Sequence, residues 1–274
     1  MTRRRLDAEL VRRGMIADPG EAVLAVRQGR VLVGGTLATK VSTLVDTSDP
    51  LELAGPPARF VSRGGDKLDA ALERFRIDVT GRRAVDAGAS TGGFTECLLR
   101  RGAAHVVAVD VGYGQLAWAL REDPRVTVLD RTNVRDLRPG DLPFGPEVLV
   151  ADLSFISLRP VVPVLAELAT PAADFVLLVK PQFEADRGSV ESGGVVRDAQ
   201  TWARAIGGVA AACAASGLTP AAVMASPVRG RAGNVEFLLH AVPDRSDGPR
   251  GSDGPRGSDR LDIDGAIEDA GGGP

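Results

Sequence analysis

From residue 83 onward, short apolar runs alternate with helical patterns. The runs are Arg83–Ala87, His105–Val109, Val126–Leu129, Val148–Ala151 and Phe175–Val179. Each has the length of a strand, and few polar positions interrupt it, which is how a strand buried on both faces reads. Strand and helix in repeated alternation predict a parallel sheet covered by helices on both sides. An Ala-rich helix is expected over Ala199–Ser216, with final strands over Ala221–Met224 and Val235–Val242. The expected fold class is therefore α/β, a mostly parallel sheet of about seven strands, with a smaller α+β domain in front.

The first 57 residues have a different texture. Leu6, Leu10 and Val11 fall at helical spacing, and Gly14 can end that helix. Asp18-Pro-Gly-Glu21 reads as a helix start, with Asp18 as N-cap, Pro19 at the first position and Glu21 completing a capping box. Arg30-Val-Leu-Val-Gly-Gly-Thr-Leu-Ala predicts a hairpin turning at Gly34-Gly35. Residues 58–61 read as a linker, because Gly55, Pro56 and Pro57 interrupt any periodic pattern just before them. Residues 62–243 form the larger domain, opening on a helix after Ser62-Arg-Gly-Gly-Asp-Lys-Leu. The tail, 244–274, is rich in Gly, Pro, Ser and charge and is expected to be disordered.

Charge alters the picture more than composition does. The net charge is −3, with 44% hydrophobic and 25% charged residues, ordinary for a globular protein. Residues 1–40, however, hold eight Arg/Lys against four acids, whereas the tail from Asp244 holds eight acids against four Arg. A polyanion partner for the basic end is thus compatible with the overall acidity. No apolar stretch approaches the roughly 18 residues of a membrane span, and the N-terminus lacks the apolar core of a secretory signal. A cytoplasmic protein is expected. Cys97 and Cys213 are expected to be buried small hydrophobes, and His105 and His240 to be structural.

The candidate chemistry centres on Ala84 to Glu96. A strand ending at Asp86, a turn through Gly88, Ser90, Thr91, Gly92 and Gly93, and a following helix can bring backbone N–H groups to a ligand. The turn matches neither the dinucleotide fingerprint nor the triphosphate loop, which disfavours NAD and ATP. Asp110, at the end of the next strand, can accept both hydroxyls of a ribose. Asn133, beyond the third strand, can read an adenine edge. A ribose and adenine without a phosphate cradle is what S-adenosylmethionine presents, with Asp86 facing its cationic end. Lys67, Asp152, Lys180 and Glu236 are four charged residues placed where a core has no need of them; two of them end predicted strands, where ligand crevices form.

Several long motifs resemble one family: Ser-Arg-Gly-Gly-Asp-Lys-Leu, Asp-Ala-Gly-Ala-Ser-Thr-Gly-Gly-Phe-Thr, Asp-Val-Gly-Tyr-Gly-Gln-Leu, Ala-Asp-Leu-Ser-Phe-Ile-Ser-Leu, Leu-Val-Lys-Pro-Gln-Phe-Glu and Gly-Asn-Val-Glu-Phe. Together they are similar to the TlyA family, rRNA 2′-O-methyltransferases with an FtsJ-like catalytic domain of the class I, Rossmann-like fold. The N-terminal region resembles the S4-type RNA-binding domain, although Asp18-Pro19 stands where that family carries Ser-Arg. The resemblance implies a Lys67–Asp152–Lys180–Glu236 tetrad. It implies a methyl-donor site formed by Asp86, the turn after it, Asp110, and Asp152 to Phe155. It also implies S-adenosylmethionine as cofactor, a cytidine of ribosomal RNA as acceptor and no metal. Arg3, Arg4, Arg5, Arg12, Arg13, Arg27, Lys40 and Arg63 are the expected contacts to ribosomal RNA within a ribosomal subunit. A monomer needing no protein partner is expected.

A ribose 2′-hydroxyl is a weak nucleophile. Lys180 can serve as base only if its pKa falls far below the free value of ~10.4; otherwise it stabilises developing negative charge. Asp152 would orient Lys180, while Lys67 and Glu236 would position the ribose. Trp118 and Tyr113 are expected beside the cofactor pocket or in the core. Other functions considered are a membrane-active haemolysin, a non-catalytic ribosome assembly factor and a pseudouridine synthase. The chain lacks the amphipathic or spanning segment of the first, and Arg5-Leu-Asp7 lacks the Thr-Ser-Gly expected after the catalytic Asp of the last.

Overall fold

In the computed structural model, residues 3–27, 29–55, 59–186, 188, 190–191, 193–230, 233–244 and 261–271 are described. The chain divides between Arg63 and Gly64 into two units, each treated by itself.

The first unit runs β1 (Arg3–Arg5), α1 (Leu6–Arg12), α2 (Pro19–Arg27), β2 (Val31–Val33), β3 (Thr36–Leu37), β4 (Leu44–Asp46) and β5 (Leu51–Leu53). Asp18 caps α2 through its Oδ1, which accepts the N–H groups of Gly20 at 2.7 Å and Glu21 at 3.0 Å. Glu21 reaches the N–H of Ala17, one residue before the cap. The hairpin turns at Gly34-Gly35, with Val33 opposite Thr36, and β5 adds to the other side of β2. The sequence pattern did not suggest β1. It pairs antiparallel with β4, so all three N-terminal arginines lie on an exposed strand. Leu6, Leu10, Ala22, Ala25, Val26, Val31 and Val45 form the core.

The second unit opens with α3 (Gly64–Arg74) and then alternates: β6 (Arg83–Ala87), α4 (Gly93–Arg100), β7 (His105–Val109), α5 (Trp118–Arg121), β8 (Val126–Leu129), β9 (Val148–Ala151), α6 (Val162–Leu168), β10 (Asp174–Val179) and α7 (Pro181–Glu184). The chain continues through α8 (Ala199–Ala215), β11 (Leu218–Ala225), β12 (Phe237–Pro243) and α9 (Ile263–Asp269). The seven strands lie in the order β11-β12-β10-β9-β6-β7-β8. Strands β6 to β10 are parallel, and β12 runs antiparallel to both β10 and β11. The chain winds from β6 outward to β8, then returns to β9 on the other side of β6. The direction of winding therefore reverses between β6 and β9, and a crevice opens beyond their carboxyl ends.

Two expectations need correction. The tail is not structureless throughout: α9 forms within it, with Ala266 and Ile267 buried and packed into the main core. Leu261, Ile263 and Ala270 lie against the same core, so this short segment has an apolar stripe that average composition concealed. The Ser-Asp-Gly-Pro-Arg-Gly repeats lie outside the described residues. The second correction concerns Glu236, which immediately precedes β12 rather than interrupting a strand.

Candidate active site

The four charged residues singled out from the sequence assemble as two ion pairs. Lys67, in the first turn of α3, donates from Nζ to Glu236 Oε2 at 2.5 Å, and both side chains are buried. Lys180, just past β10, lies 2.6 Å from Asp152 Oδ1 and donates to Ser154 Oγ at 2.9 Å. The sheet register brings the pairs together. Val179 lies opposite Phe237, so the next residue along β10, Lys180, faces the residue before β12, Glu236. Sheet packing thus places two ammonium groups and two carboxylates at one strand edge, each cation matched to an anion. That is the condition under which charge survives burial.

Asp86, the penultimate residue of β6, is fully buried. Its Oδ2 accepts the Thr95 hydroxyl at 2.6 Å, whereas its Oδ1 is buried without a hydrogen-bond partner. Burial pushes its carboxyl up to about 7; the Thr95 hydrogen bond opposes this, and the negative charges of Asp152 and Asp110 add to the rise. A carboxylate oxygen left unmatched in this way suits a cationic or N–H-bearing ligand. Gly88 lies at φ +86°, and a Cβ there would come 2.6 Å from the backbone oxygen of Asp152. Only glycine allows β6 and β9 to approach so closely at the mouth of the crevice.

The rest of the predicted donor site has a clear local role. Asp110 accepts the N–H of Ser90 at 2.8 Å and of Gly112 at 2.6 Å, one on each oxygen, and ties together the loops after β6 and β7. Each oxygen keeps a lone pair for a hydroxyl. Ser90 is left-handed at φ +47°, held by that bond. Gly92 caps α4 at φ +99°, where a Cβ would strike Leu116 and Leu120. Asn133 uses its Oδ1 to cap a short helical turn at the N–H of Arg135, at 3.1 Å, so its amide N–H is what it offers to a base. Thr91 contributes its backbone oxygen to the N–H of Ala117, and Gly93 opens α4.

Phe155 is 88% exposed at φ +68°, and its ring lies 5.5 Å from that of Phe183. Lys180 Nζ lies 5.9 Å from the Phe183 centroid. A ring so placed at the mouth of the site is open to the nucleoside of either substrate. Tyr113 and Trp118 are 69% and 73% exposed, so of the two places expected for them, beside the cofactor pocket or in the core, the core is excluded. Tyr113 instead stacks with the Arg131 guanidinium, 4.4 Å from its ring centre. His105 bonds Thr127 and His240 bonds Asp174, both within the sheet, and both cysteines are buried. Thr95, Glu184 and Asn234 were not singled out from the sequence. Their polar side chains carry no pattern until the chain around them is in place.

In the first unit, buried Glu9 gathers arginines. Its carboxylate accepts Arg12 at 2.6 and 2.7 Å and Arg13 at 2.8 Å, with Arg4 at 4.0 Å. The Arg12 hydrogen bonds, followed by that of Arg13, pull it down to about 2. Arg13 also donates to the carbonyls of Asp46, Thr47 and Asp49, so it is a structural pin more than a surface charge. Arg5 pairs with Asp7 at 2.7 Å, and Arg3, Arg4, Arg5 and Lys40 are exposed. The side chain of Arg27 lies outside the described residues.

A doubly wound sheet with a glycine turn after its first parallel strand, an acid after the second and paired charges at the ends of the strands next to the switch point defines a methyltransferase-type α/β domain. Comparison with known proteins agrees. Residues 60–242 match the FtsJ-like methyltransferase family and residues 4–51 the S4 domain. A 16S/23S rRNA (cytidine-2′-O)-methyltransferase, TlyA, of Mycobacterium tuberculosis is 52% identical over 86% of this chain and 89% of its own. Hemolysin A of Brachyspira hyodysenteriae is 35% identical over 87% of this chain and 99% of its own. A solved structure described as a hemolysin, from Streptococcus thermophilus, superposes with a TM-score of 0.74 at 35% identity, covering 99% of this chain and 96% of that one. The chain belongs to the TlyA family of FtsJ-like methyltransferases that carry an S4 domain ahead of the catalytic fold.

Proposed function

We propose that this chain transfers a methyl group from S-adenosylmethionine to the 2′-hydroxyl of a cytidine in ribosomal RNA. The observation that carries the reading is the two-pair charge cluster, Lys67–Glu236 and Lys180–Asp152, beside a pocket edge holding a buried, half-satisfied carboxylate. The relative in Mycobacterium tuberculosis, named for this reaction, supports the choice of acceptor. Among the described residues no helix is long and apolar enough to cross a membrane.

S-adenosylmethionine supplies an electrophilic methyl group on a sulfonium. The protein residues suited to hold it are Asp86, whose Oδ1 awaits a donor, Asp110, with a lone pair on each oxygen, and the turn from Gly88 to Gly93. As the acceptor oxygen bonds to the methyl carbon, the methyl–sulfur bond breaks, the sulfonium leaves as a neutral thioether and the hydroxyl proton passes to solvent, so negative charge develops on the oxygen during attack. Asp152 fixes the position of Lys180 Nζ, and a cation fixed at the strand edge stabilises that charge without reorganising. Ser154 fixes a second direction of the same Nζ. Lys67 and Glu236, buried together, brace the opposite side and can hydrogen-bond a ribose. Phe155, exposed and backed by Phe183, offers a face to a base. Arg3, Arg4, Arg5, Arg12, Lys40 and Arg63 would meet phosphates, which position the substrate without reading its sequence. Incubating the protein with labelled donor and unmodified ribosomal subunits tests the reading. Label incorporated into rRNA and lost in Lys180→Ala supports it, and an equal rate in that variant refutes it.

A further inference from the structure

We propose that Glu184 is a positioning residue for methyl transfer, fastening the loop after β9 to α7 so that Phe155 is held at the mouth of the site. The inference rests on the reading that Phe155 meets the acceptor nucleoside. These two segments carry the charge pair and the exposed aromatic face, and three cross-links join them in sequence. Lys180 binds Asp152 and Ser154, and Phe183 packs against Phe155 with the rings tilted by 47°. Buried Glu184 then closes the set: Oε2 accepts the Ser157 hydroxyl at 2.5 Å and Arg159 Nε at 3.2 Å, while Oε1 accepts the Leu158 N–H at 2.6 Å. The Glu184 backbone oxygen receives Arg159 Nη2 as well.

Phe155 shows why such a fastening is needed. A phenylalanine at φ +68° sits in a region that L-residues with a Cβ avoid, and its exposed ring buries little surface to compensate. Something must hold the chain on both sides of it. Upstream, the Lys180 contacts hold Asp152 and Ser154. Downstream, Glu184 holds residues 157 to 159. Glu184 has none of the features of a reacting group here, since its carboxylate is already engaged by three donors and lies 5% exposed. Its action is through Phe155.

A double-mutant cycle tests this with the full-length protein, unmodified ribosomal subunits and saturating S-adenosylmethionine. Single-turnover rates are measured for wild type, Phe155→Ala, Glu184→Gln and the double variant. Each single change should slow transfer by about tenfold, with S-adenosylmethionine affinity within about twofold of wild type. The double variant should be no more than about threefold slower than the slower single, because both remove the same placement. A double variant slowed by the product of the two single effects, or a folded Glu184→Gln as fast as wild type, overturns the proposal. If Phe155→Ala alone has no effect, the acceptor role of Phe155 fails and this proposal fails with it; a slow Phe155→Ala with multiplicative effects overturns the Glu184 role alone. Where Glu184→Gln does not fold, Ser157→Ala removes a single bond of the clamp, and the same cycle with Phe155→Ala decides between the two outcomes.

Discussion

Lys180 and Asp152 meet at 2.6 Å across the ends of two adjacent parallel strands, β10 and β9. Each lies just past the end of its strand, Lys180 at the N-cap of α7, and the adjacency of β9 and β10 brings them within reach. The pair links fold to chemistry, because a shift of one residue in register would turn either side chain to the other face. Replacing Lys180 by Met should lower the methylation rate constant by about 10²-fold or more while leaving S-adenosylmethionine affinity within a few-fold. Single-turnover kinetics together with calorimetric binding check both halves.

Gly230 lies against the other pair. A Cβ there would run into the Glu236 carboxylate, which is already committed to Lys67. Gly230→Ala should displace that carboxylate and slow transfer by about tenfold. Serine should act similarly, and a melting temperature close to wild type would show the loss to be local.

Asp86 sets a pH dependence with a defined sign. Its carboxyl is pushed from 3.8 to about 7 by burial, so between these values the folded chain keeps a proton that the unfolded chain has released. Stability from this group is complete below about pH 4 and is lost as pH rises through 7. Asp86→Asn, neutral throughout, should therefore melt above wild type at pH 8, and the gap should close towards pH 5. A cationic ligand at Oδ1 favours the ionised carboxylate, so donor affinity in wild type should fall as pH drops below 7 and show no such fall in Asp86→Asn. Thermal melts and titration calorimetry across this range read both effects.

Arg12 and Arg13 are neighbours in sequence with different work. Arg13→Ala removes donors to three carbonyls and should destabilise the first unit by about 1–3 kcal/mol. Arg12, half exposed, should instead govern RNA affinity: Arg12→Ala should reduce the slope of log affinity against log salt by about one. Filter binding at several salt concentrations separates the two.

The helix in the tail contributes to stability. Ending the chain at residue 260 would expose the core surface under Ala266 and Ile267 and should lower Tm by several degrees. An Ile267→Asp variant should reproduce most of that drop.

Much of this was legible in the sequence, for physical reasons. Strands buried on both faces carry few polar residues, so Arg83–Ala87 and Val148–Ala151 were readable to their ends. Lys67 and Lys180 were recognisable as misplaced charges, and glycine turns announce left-handed backbone. Pairing was not legible: which Lys meets which acid depends on strand order, and β12 inserts between β10 and β11. Nor was the placement of Phe155, because an apolar residue in an apolar-looking motif gives no sign that tertiary contacts will hold it outward. Arg13 reads as one more surface charge until its carbonyl partners are in place. The α9 stripe was too short to stand out from the repeats before it.

The most direct measurement is to map the modified position. Unmodified ribosomal subunits are incubated with the protein and S-adenosylmethionine, and the rRNA is then cleaved by alkali. Protection of the bond following a cytidine, absent with Lys180→Met, is the predicted result. Methyl incorporation on a base, or protected positions that are unchanged in the variant, would contradict the account.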